Sequence, residues 1–405
     1  MSKEQNQALD HISAKEMPAF ATVMPKVTSE HGKSLPGQLK DLMSLCLRGN
    51  KLMVDEYYQM CLFDDGLFSM EDKKQFVGLQ KSREIWSAIA ETNPWYGFMS
   101  DKLAAETMMR GFGVSVTKTL AVVGGNYPGN AFRKIGSPDE LHSFFSTVAL
   151  PLFGKPVNSN QSLGSARFEK YDSAKRTMQL ANGNTVTVDE LWAEISEHFQ
   201  GDYIFQQCLE SHDKFKKLCG GGLPTVRIVT LDHGDGPEFY RACVKLTGKD
   251  NVADNFWRKG NLLAPVNQAN GEMDAALTAM GIDGEFVDSH PDTQQKITGE
   301  AVPFWKEACE LALEVAGFYK GALLIGFDIA ITNKGPVIVE VNNDPHLIML
   351  QAAFRKGVLD KKMLAAVAYA NNLKSERVSS VKQKLADEQR KNKADLKDAV
   401  STKAA

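Results

Sequence analysis

The sequence predicts a mixed α/β protein, an α/β (α+β) body set between a helical N-terminal module and a charged helical tail. Three observations carry that prediction. Apolar residues from Gln38 to about Ser100 recur at helical spacing. From Asp101 to Lys374, short runs rich in Val, Ile and Phe alternate with helical stretches and turn residues. Beyond Lys374 the composition turns to Lys, Glu, Asp, Ser and Ala.

The bulk numbers narrow the function classes. The chain has 405 residues, enough for two or three domains, and a formal net charge of −3. That balance gives no footing to a nucleic-acid or anionic-membrane partner. Cys46, Cys61, Cys208, Cys219, Cys243 and Cys309 stand far apart, without the spacing of a disulfide framework or a structural zinc site. The opening residues MSKEQNQALDHISAKEMP lack the apolar core of a secretory signal. No apolar run reaches the roughly 18 residues of a membrane span. The expectation is a cytoplasmic, soluble protein.

In chain order, residues 1–37 read as a loosely ordered lead-in, broken by Pro18, Pro25 and Pro36. Residues 1–100 form the helical region, with one stripe at Leu39, Leu42, Met43 and Cys46 and another at Ile85, Trp86 and Ile89. Asp101–Gly111 predicts a helix running into the strand segment GVSVTKTLAVVGG. In SPDELHSFF, Ser137 is a cap, Pro138 a first helical residue and Glu140 the third residue after the cap. LPLFGKPV, DYIFQQCL, TVRIVTL, EFYRACVKL and IGFDIAI read as strands, with helices near 189–199 and 303–318. In residues 375–405, Val378, Val381 and Leu385 make only a thin stripe, so the tail reads as a solvated helix, with a helix that docks on a partner or second subunit as the alternative.

One segment carries chemistry on its face. In GFDIAITNKGPVIVEVNNDP two apolar runs flank a turn, yet Asp328 and Glu340 stand where core residues are expected. An ionised carboxylate in an apolar strand is costly unless it is paired or bound to a metal. Strand alternation puts Glu340 and Asn342 on one face. A three-residue loop, Asn333 to Gly335, sets Asp328 opposite Glu340; a two-residue loop puts them on different faces. The hard oxygens of Asp328, Glu340 and Asn342 suit Mg²⁺, with Mn²⁺ as a substitute, and Mg²⁺ usually keeps substrate phosphates in its shell.

A phosphate site is therefore expected upstream. In LFGKPVNSNQSLGSARF, Lys155 closes an apolar strand before a loop rich in Ser, Asn and Gly. Such a loop offers backbone N–H groups to phosphate, and Gly164 permits close approach. The segment is neither a P-loop nor a Rossmann fingerprint. The strand end Gln206–Glu210 can offer backbone groups to a purine and the Glu210 carboxylate to a ribose hydroxyl. Arg227, Arg241, Lys245 and Arg258 supply cations on or beside neighbouring strands.

Taken in order, these motifs resemble the ATP-grasp superfamily, specifically its sugar-transfer-associated family. The resemblance runs from about Asp101 to Leu373 through DKLAAETMMRGFGVSV, FGKP, FQQCLESH, TVRIVT, VADNFWRKGN, DSHPDTQQKITGEAVPFW and the acidic hairpin. It implies a two-lobe nucleotide-binding domain at 101–374, with a lid lobe at about 140–208 and a C-terminal lobe at about 209–374. It also implies ATP contacts at Lys102, Lys155, Ser162, Gly164, Ser165, Gln207, Cys208, Leu209 and Glu210. Mg²⁺ would lie on Asp328, Glu340 and Asn342, with substrate contacts at His290 and Asn255. Lys245 stands where the family pattern has an arginine, and KGN replaces a Gly-Gly pair near Gly260.

The reading that follows is a ligase that activates a carboxylate as an acyl phosphate and joins it to an amine, releasing ADP and phosphate. Arg227, Lys245 and Arg258 would neutralise the reacting groups. The partners are small-molecule acids and amines, with a homodimer or a biosynthetic partner protein left open. Two rivals share the nucleotide site: a phosphotransferase acting on a sugar or other hydroxyl acceptor, and a non-catalytic nucleotide-binding scaffold.

Overall fold

The computed structural model describes residues 9, 20–46, 50–124, 131–158, 163–199, 202–249, 251 and 253–403. Within the expected lead-in, a helix, α1 (Phe20–His31), forms despite Pro25. Pro25 forfeits one intrahelical bond, and burial of Val23 and Val27 one turn apart offsets it. Helix α2 (Leu35–Cys46) corrects the predicted stripe. It buries Gln38, Asp41, Leu42 and Leu45, while Leu39 is 50% and Met43 64% exposed. Two polar residues face inward because each finds partners there. Gln38 Oε1 accepts from the Tyr58 hydroxyl at 2.7 Å, and Asp41 accepts from Lys73 at 2.8 Å and Tyr57 at 3.1 Å. Satisfied buried polar groups override the apolar phase of an isolated helix.

The module continues through α3 (Val54–Gln59), α4 (Met70–Lys73), α5 (Leu79–Ala90) and α6 (Tyr96–Ser100). Helix α7 (Lys102–Gly111) starts where expected, its cap Asp101 accepting from the Leu103 and Ala104 amides at 2.9 Å.

Two seven-stranded sheets follow. The first is built from β1 (Thr119–Val123), β2 (Arg133–Ile135), α8 (Pro138–Phe145), β3 (Leu152–Pro156), β4 (Ala166–Asp172), β5 (Thr177–Leu180), β6 (Thr185–Thr187), α9 (Val188–His198) and β7 (Tyr203–Gln207). Its order is β2-β1-β7-β3-β4-β5-β6, so it recruits residues from Thr119, ahead of the expected boundary near 140. The Ser137 cap accepts from the Glu140 amide as the sequence implies, and Leu141, Phe144, Leu191 and Ile195 bury α8 and α9 on this sheet.

The second sheet follows α10 (Asp213–Cys219) and comprises β8 (Thr225–Asp232), β9 (Pro237–Leu246), β10 (Leu262–Pro265), β11 (Ala276–Leu277), β12 (Phe286–Val287) and, after α11 (Trp305–Phe318), β13 (Leu324–Thr332) and β14 (Gly335–Asn342). Its order is β12-β11-β10-β9-β8-β13-β14. Helix α11 covers one face. Helix α12 (Leu347–Phe354) and the start of α13 (Lys361–Lys403) cover the other. Both faces are thus buried, which is why β8, β9 and β13 read as continuous apolar runs rather than alternating ones. Past Leu373 helix α13 is exposed through Arg390, including Val378, Val381 and Leu385.

The β13–β14 hairpin departs from the expected turn. Thr332 pairs with Gly335, so the loop has two residues, Asn333 and Lys334. That register alone would set Asp328 against Val339. A bulge intervenes: Ile329 pairs with Ile338 but Asp328 pairs with Glu340, leaving Val339 as the extra residue. The acids are opposed as expected, and the bulge rather than the turn opposes them.

Deleting Val339 should therefore leave a regular ladder, with Ile338 opposite Ile329 and Glu340 still opposite Asp328 on the same face. We expect a fold retained by circular dichroism, with turnover lowered by less than about tenfold because the two acids stay opposed. Inserting a glycine after Lys334 should leave turnover within about twofold, because strand pairing below the turn is untouched.

Candidate functional site

A cavity of about 960 Å³ opens between the two sheets and is closed on one side by α5, α6 and α7. Its floor is a buried charge cluster. Asp328 is 3% exposed and lies between two cations. Arg227 holds it bidentately, Nε to Oδ1 at 2.5 Å and Nη2 to Oδ2 at 2.9 Å. Lys245 Nζ reaches Oδ2 at 3.0 Å and also lies 3.0 Å from Asp254, which accepts from the Thr225 hydroxyl. Two acids thus balance two bases. Burial alone would raise the Asp328 pKa, but Arg227 and Lys245 prevail and hold its carboxyl well below the usual range. Burial likewise opposes the Lys245 ammonium, and Asp254 and Asp328 raise its pKa above the ordinary value.

This arrangement alters the metal-ligand expectation for Asp328. Both its oxygens are bonded to cations, and only Oδ1 keeps a spare lone pair. Glu340 is freer. Its side chain is 30% exposed, lines the cavity and meets Lys102 Nζ at 3.4 Å. Asn342 also lines the cavity, and its side-chain nitrogen is buried without a hydrogen-bond partner among the described residues. Among those residues no three His, Cys, Asp or Glu side chains group to hold a metal. Two carboxylates and an amide nevertheless fit a hard cation whose remaining positions are filled by a ligand.

The first sheet supplies the facing wall. Lys102, at the start of α7, donates to the Val157 carbonyl at 3.3 Å. Lys155 on β3 lines the cavity while 6% exposed, with no hydrogen-bonded or ion-paired acid among the described residues. Its burial, with Lys102 nearby, outweighs the attraction of Glu340 and lowers its pKa. Ser165, Gln207, Cys208 and Leu209 line the same wall. Ser162 lies outside the described residues.

Four assigned residues fall elsewhere. Gly164 is buried at φ +75°, and a Cβ there would meet Phe199 at 2.4 Å, so it serves packing rather than ligand approach. Glu210 is exposed and pairs with Lys216 at 3.1 Å, outside the cavity wall. Arg258 lies beyond that wall, although its neighbours Asn255, Phe256 and Trp257 belong to it. His290 is fully buried, donating from Nε2 to the Thr247 carbonyl at 3.1 Å and accepting on Nδ1 from the Asp292 amide at 3.2 Å. It is a pin for its loop. Arg241 does not line the cavity and bonds the Lys356 and Gly357 carbonyls.

Sequence reasoning also missed contributors. Buried Glu106 accepts from the Thr119 amide at 2.7 Å and hydroxyl at 2.6 Å, and from Gln206 Nε2 at 2.7 Å, tying α7 to β1 and β7. A Glu in the middle of a helix gives no such signal. Arg83, Trp86 and Tyr96 from the N-terminal module, and His346 after β14, complete the cavity.

Asp328→Asn should cost about 3–5 kcal/mol in urea unfolding at neutral pH, because it leaves buried Arg227 unpaired. Since the folded-state carboxyl is depressed, its contribution is present above the unfolded value of about 4 and fades as pH falls through the folded one. The gap between variant and wild type should thus persist through about pH 4 and narrow only in stronger acid.

The chain resembles D-cycloserine synthetase DcsG, at 13% identity and TM-score 0.38, over 73% of this chain and 80% of that one. It resembles D-alanine–D-alanine ligase from Bacillus anthracis, at 14% identity and TM-score 0.35, over 69% of this chain and 70% of that one. The biotin carboxylase domain of Hydrogenobacter thermophilus 2-oxoglutarate carboxylase, determined with MgADP, ADP and bicarbonate, matches at 11% identity and TM-score 0.35, over 68% of this chain. The chain spans only 46% of that protein's length. No curated protein matches the sequence. The model of the sugar-transfer associated ATP-grasp family matches residues 95–367, well over half the chain and both walls of the cavity. The chain therefore belongs to the sugar-transfer associated ATP-grasp family.

Proposed function

We propose that the cavity binds ATP and that the protein is a carboxylate–amine ligase working through an acyl phosphate. One observation carries the reading. Lys155, a buried cation with no bonded acid among the described residues, faces the cavity from one sheet, while Glu340 and Asn342 face it from the other. A polyanion beside a divalent cation complements both walls.

Lys102 and Lys155 would hold the phosphates, with Ser165 beside them. Cys208 and Leu209 follow the last ladder residue of β7, so their backbone groups can border the purine. Glu340 and Asn342, with the spare lone pair of Asp328 Oδ1, would hold Mg²⁺, which supplies charge neutralisation at the phosphates. The acid oxygen attacks the γ-phosphorus, the bond to the β-phosphate oxygen breaks, and ADP departs. The amine nitrogen then attacks the acyl carbon, and phosphate leaves with the C–O bonding pair while the amine proton passes to solvent. Arg227 and Lys245 are held in place by Asp328 before substrate arrives, so they neutralise growing charge with little rearrangement. Arg258 takes no part.

ATP with Mg²⁺ and a panel of acids and amines tests the reading: ADP and phosphate should appear only when both substrates are present. ADP without phosphate would replace the ligase with a phosphotransferase. Glu340→Gln should lower turnover by about 100-fold or more, with ADP binding still measurable by calorimetry. Because the Lys155 ammonium is easier to deprotonate than usual, ADP affinity should fall as pH rises through its lowered pKa. Lys155→Arg should bind ADP with a flat profile over the same range.

A further inference from the structure

The cations of the cavity wall divide into two kinds. Lys102, Arg167, Arg227 and Lys245 each have a carboxylate within 2.5–3.4 Å. Lys155 and Arg83 have no ion-paired acid among the described residues. Lys155 belongs to the phosphate wall. Arg83 belongs to the wall formed by the N-terminal module, where no nucleotide contact was assigned.

Its surroundings form a set. Arg83, Trp86 and Ser87 lie at positions i, i+3 and i+4 of α5, hence on one helix face, and all three line the cavity. Trp86 is fixed, its Nε1 donating to the Asn343 carbonyl at 3.1 Å and its ring meeting Tyr96 edge-on at 5.8 Å. Trp257 lines the same cavity, 37% exposed, with its ring 5.5 Å from that of His346. His346 sits in the left-handed region at φ +59°, and its Nδ1 is buried without a hydrogen-bond partner among the described residues. A strained histidine with an orphaned nitrogen marks a place where a ligand completes the hydrogen bonding. Aromatic faces left open inside a cavity favour a flat apolar body.

We infer that this end of the cavity is the seat of the second substrate, and that this substrate is a ring-bearing organic anion. Arg83 pairs with its anionic group, the rings of Trp86, Tyr96 and Trp257 contact its flat face, and His346 bonds one polar substituent. The identification of this ligand as a co-substrate rests on the ligase reading; the subsite itself does not.

The test uses the full chain saturated with MgADP, so that the phosphate wall is blocked. Phenylacetate and phenyl phosphate are the ring-bearing probes, and acetate and inorganic phosphate their ring-free counterparts. Binding is followed by tryptophan fluorescence and by saturation-transfer NMR. At least one ring-bearing probe should bind about tenfold more tightly than its counterpart, and whichever does so decides between carboxylate and phosphate. Arg83→Gln and Trp257→Ala, both at partly or fully exposed positions, should each weaken that binding about tenfold while ADP affinity shifts less than about twofold. No preference for a ring, or binding indifferent to both substitutions, overturns the subsite. If the subsite binds as stated but no acid and amine yield ADP and phosphate, the ligase reading fails alone. If turnover occurs with an acid whose KM ignores Arg83→Gln, the subsite fails alone.

Discussion

The interaction on which the site depends is the buried quartet of Asp328, Arg227, Lys245 and Asp254. These residues come from β13, β8, β9 and the segment after β9, so the quartet joins three adjacent strands of the second sheet. Any member alone would be a charge stranded in an apolar sheet. Together they cancel, and the strands can carry charge into the cavity floor without disrupting the sheet. The same pairing fixes where Glu340 stands, because Asp328 is its cross-strand neighbour.

A second buried acid organises the opposite wall by the same logic. Glu106 receives the Thr119 amide and hydroxyl and the Gln206 amide, locking α7 against the first sheet. Lys102 opens that helix and Lys155 lies on β3 of that sheet, so their common facing follows from Glu106. Each wall is thus a sheet presenting charge that an internal counter-charge has positioned. The cavity's electrostatic character is set before any ligand enters.

Much of this was legible in the sequence. The strands surrounding the quartet are continuous apolar runs because both faces are covered, and Asp328 and Glu340 stood out against that background. What could not be read was phase. Gln38 and Asp41 turn inward because Tyr58, Lys73 and Tyr57 meet them, and those partners are set by tertiary contact. Gly164 and Glu210 carry residue types that suit a nucleotide site, yet Phe199 fills the space beside one and Lys216 draws off the other. His290 shows the same limit, since a histidine bonded at both nitrogens resembles a ligand-binding one in sequence. The two-residue turn and the Val339 bulge make compensating changes of register, invisible to any rule that counts residues across a turn.

The N-terminal module is stitched to the chemistry at several points. Gln351 of α12 bonds both the amide and the carbonyl of Val77, Trp86 bonds the Asn343 carbonyl, and Ser100 accepts from Asn343 Nδ2. The loop carrying Asn343 begins one residue after Asn342. A module so joined cannot be exchanged as a cassette. Among members of the family, the heritable unit would be the module together with the loop after β14. Substitutions on α5 and on that loop should therefore be inherited jointly, even though some 250 residues separate them in the chain.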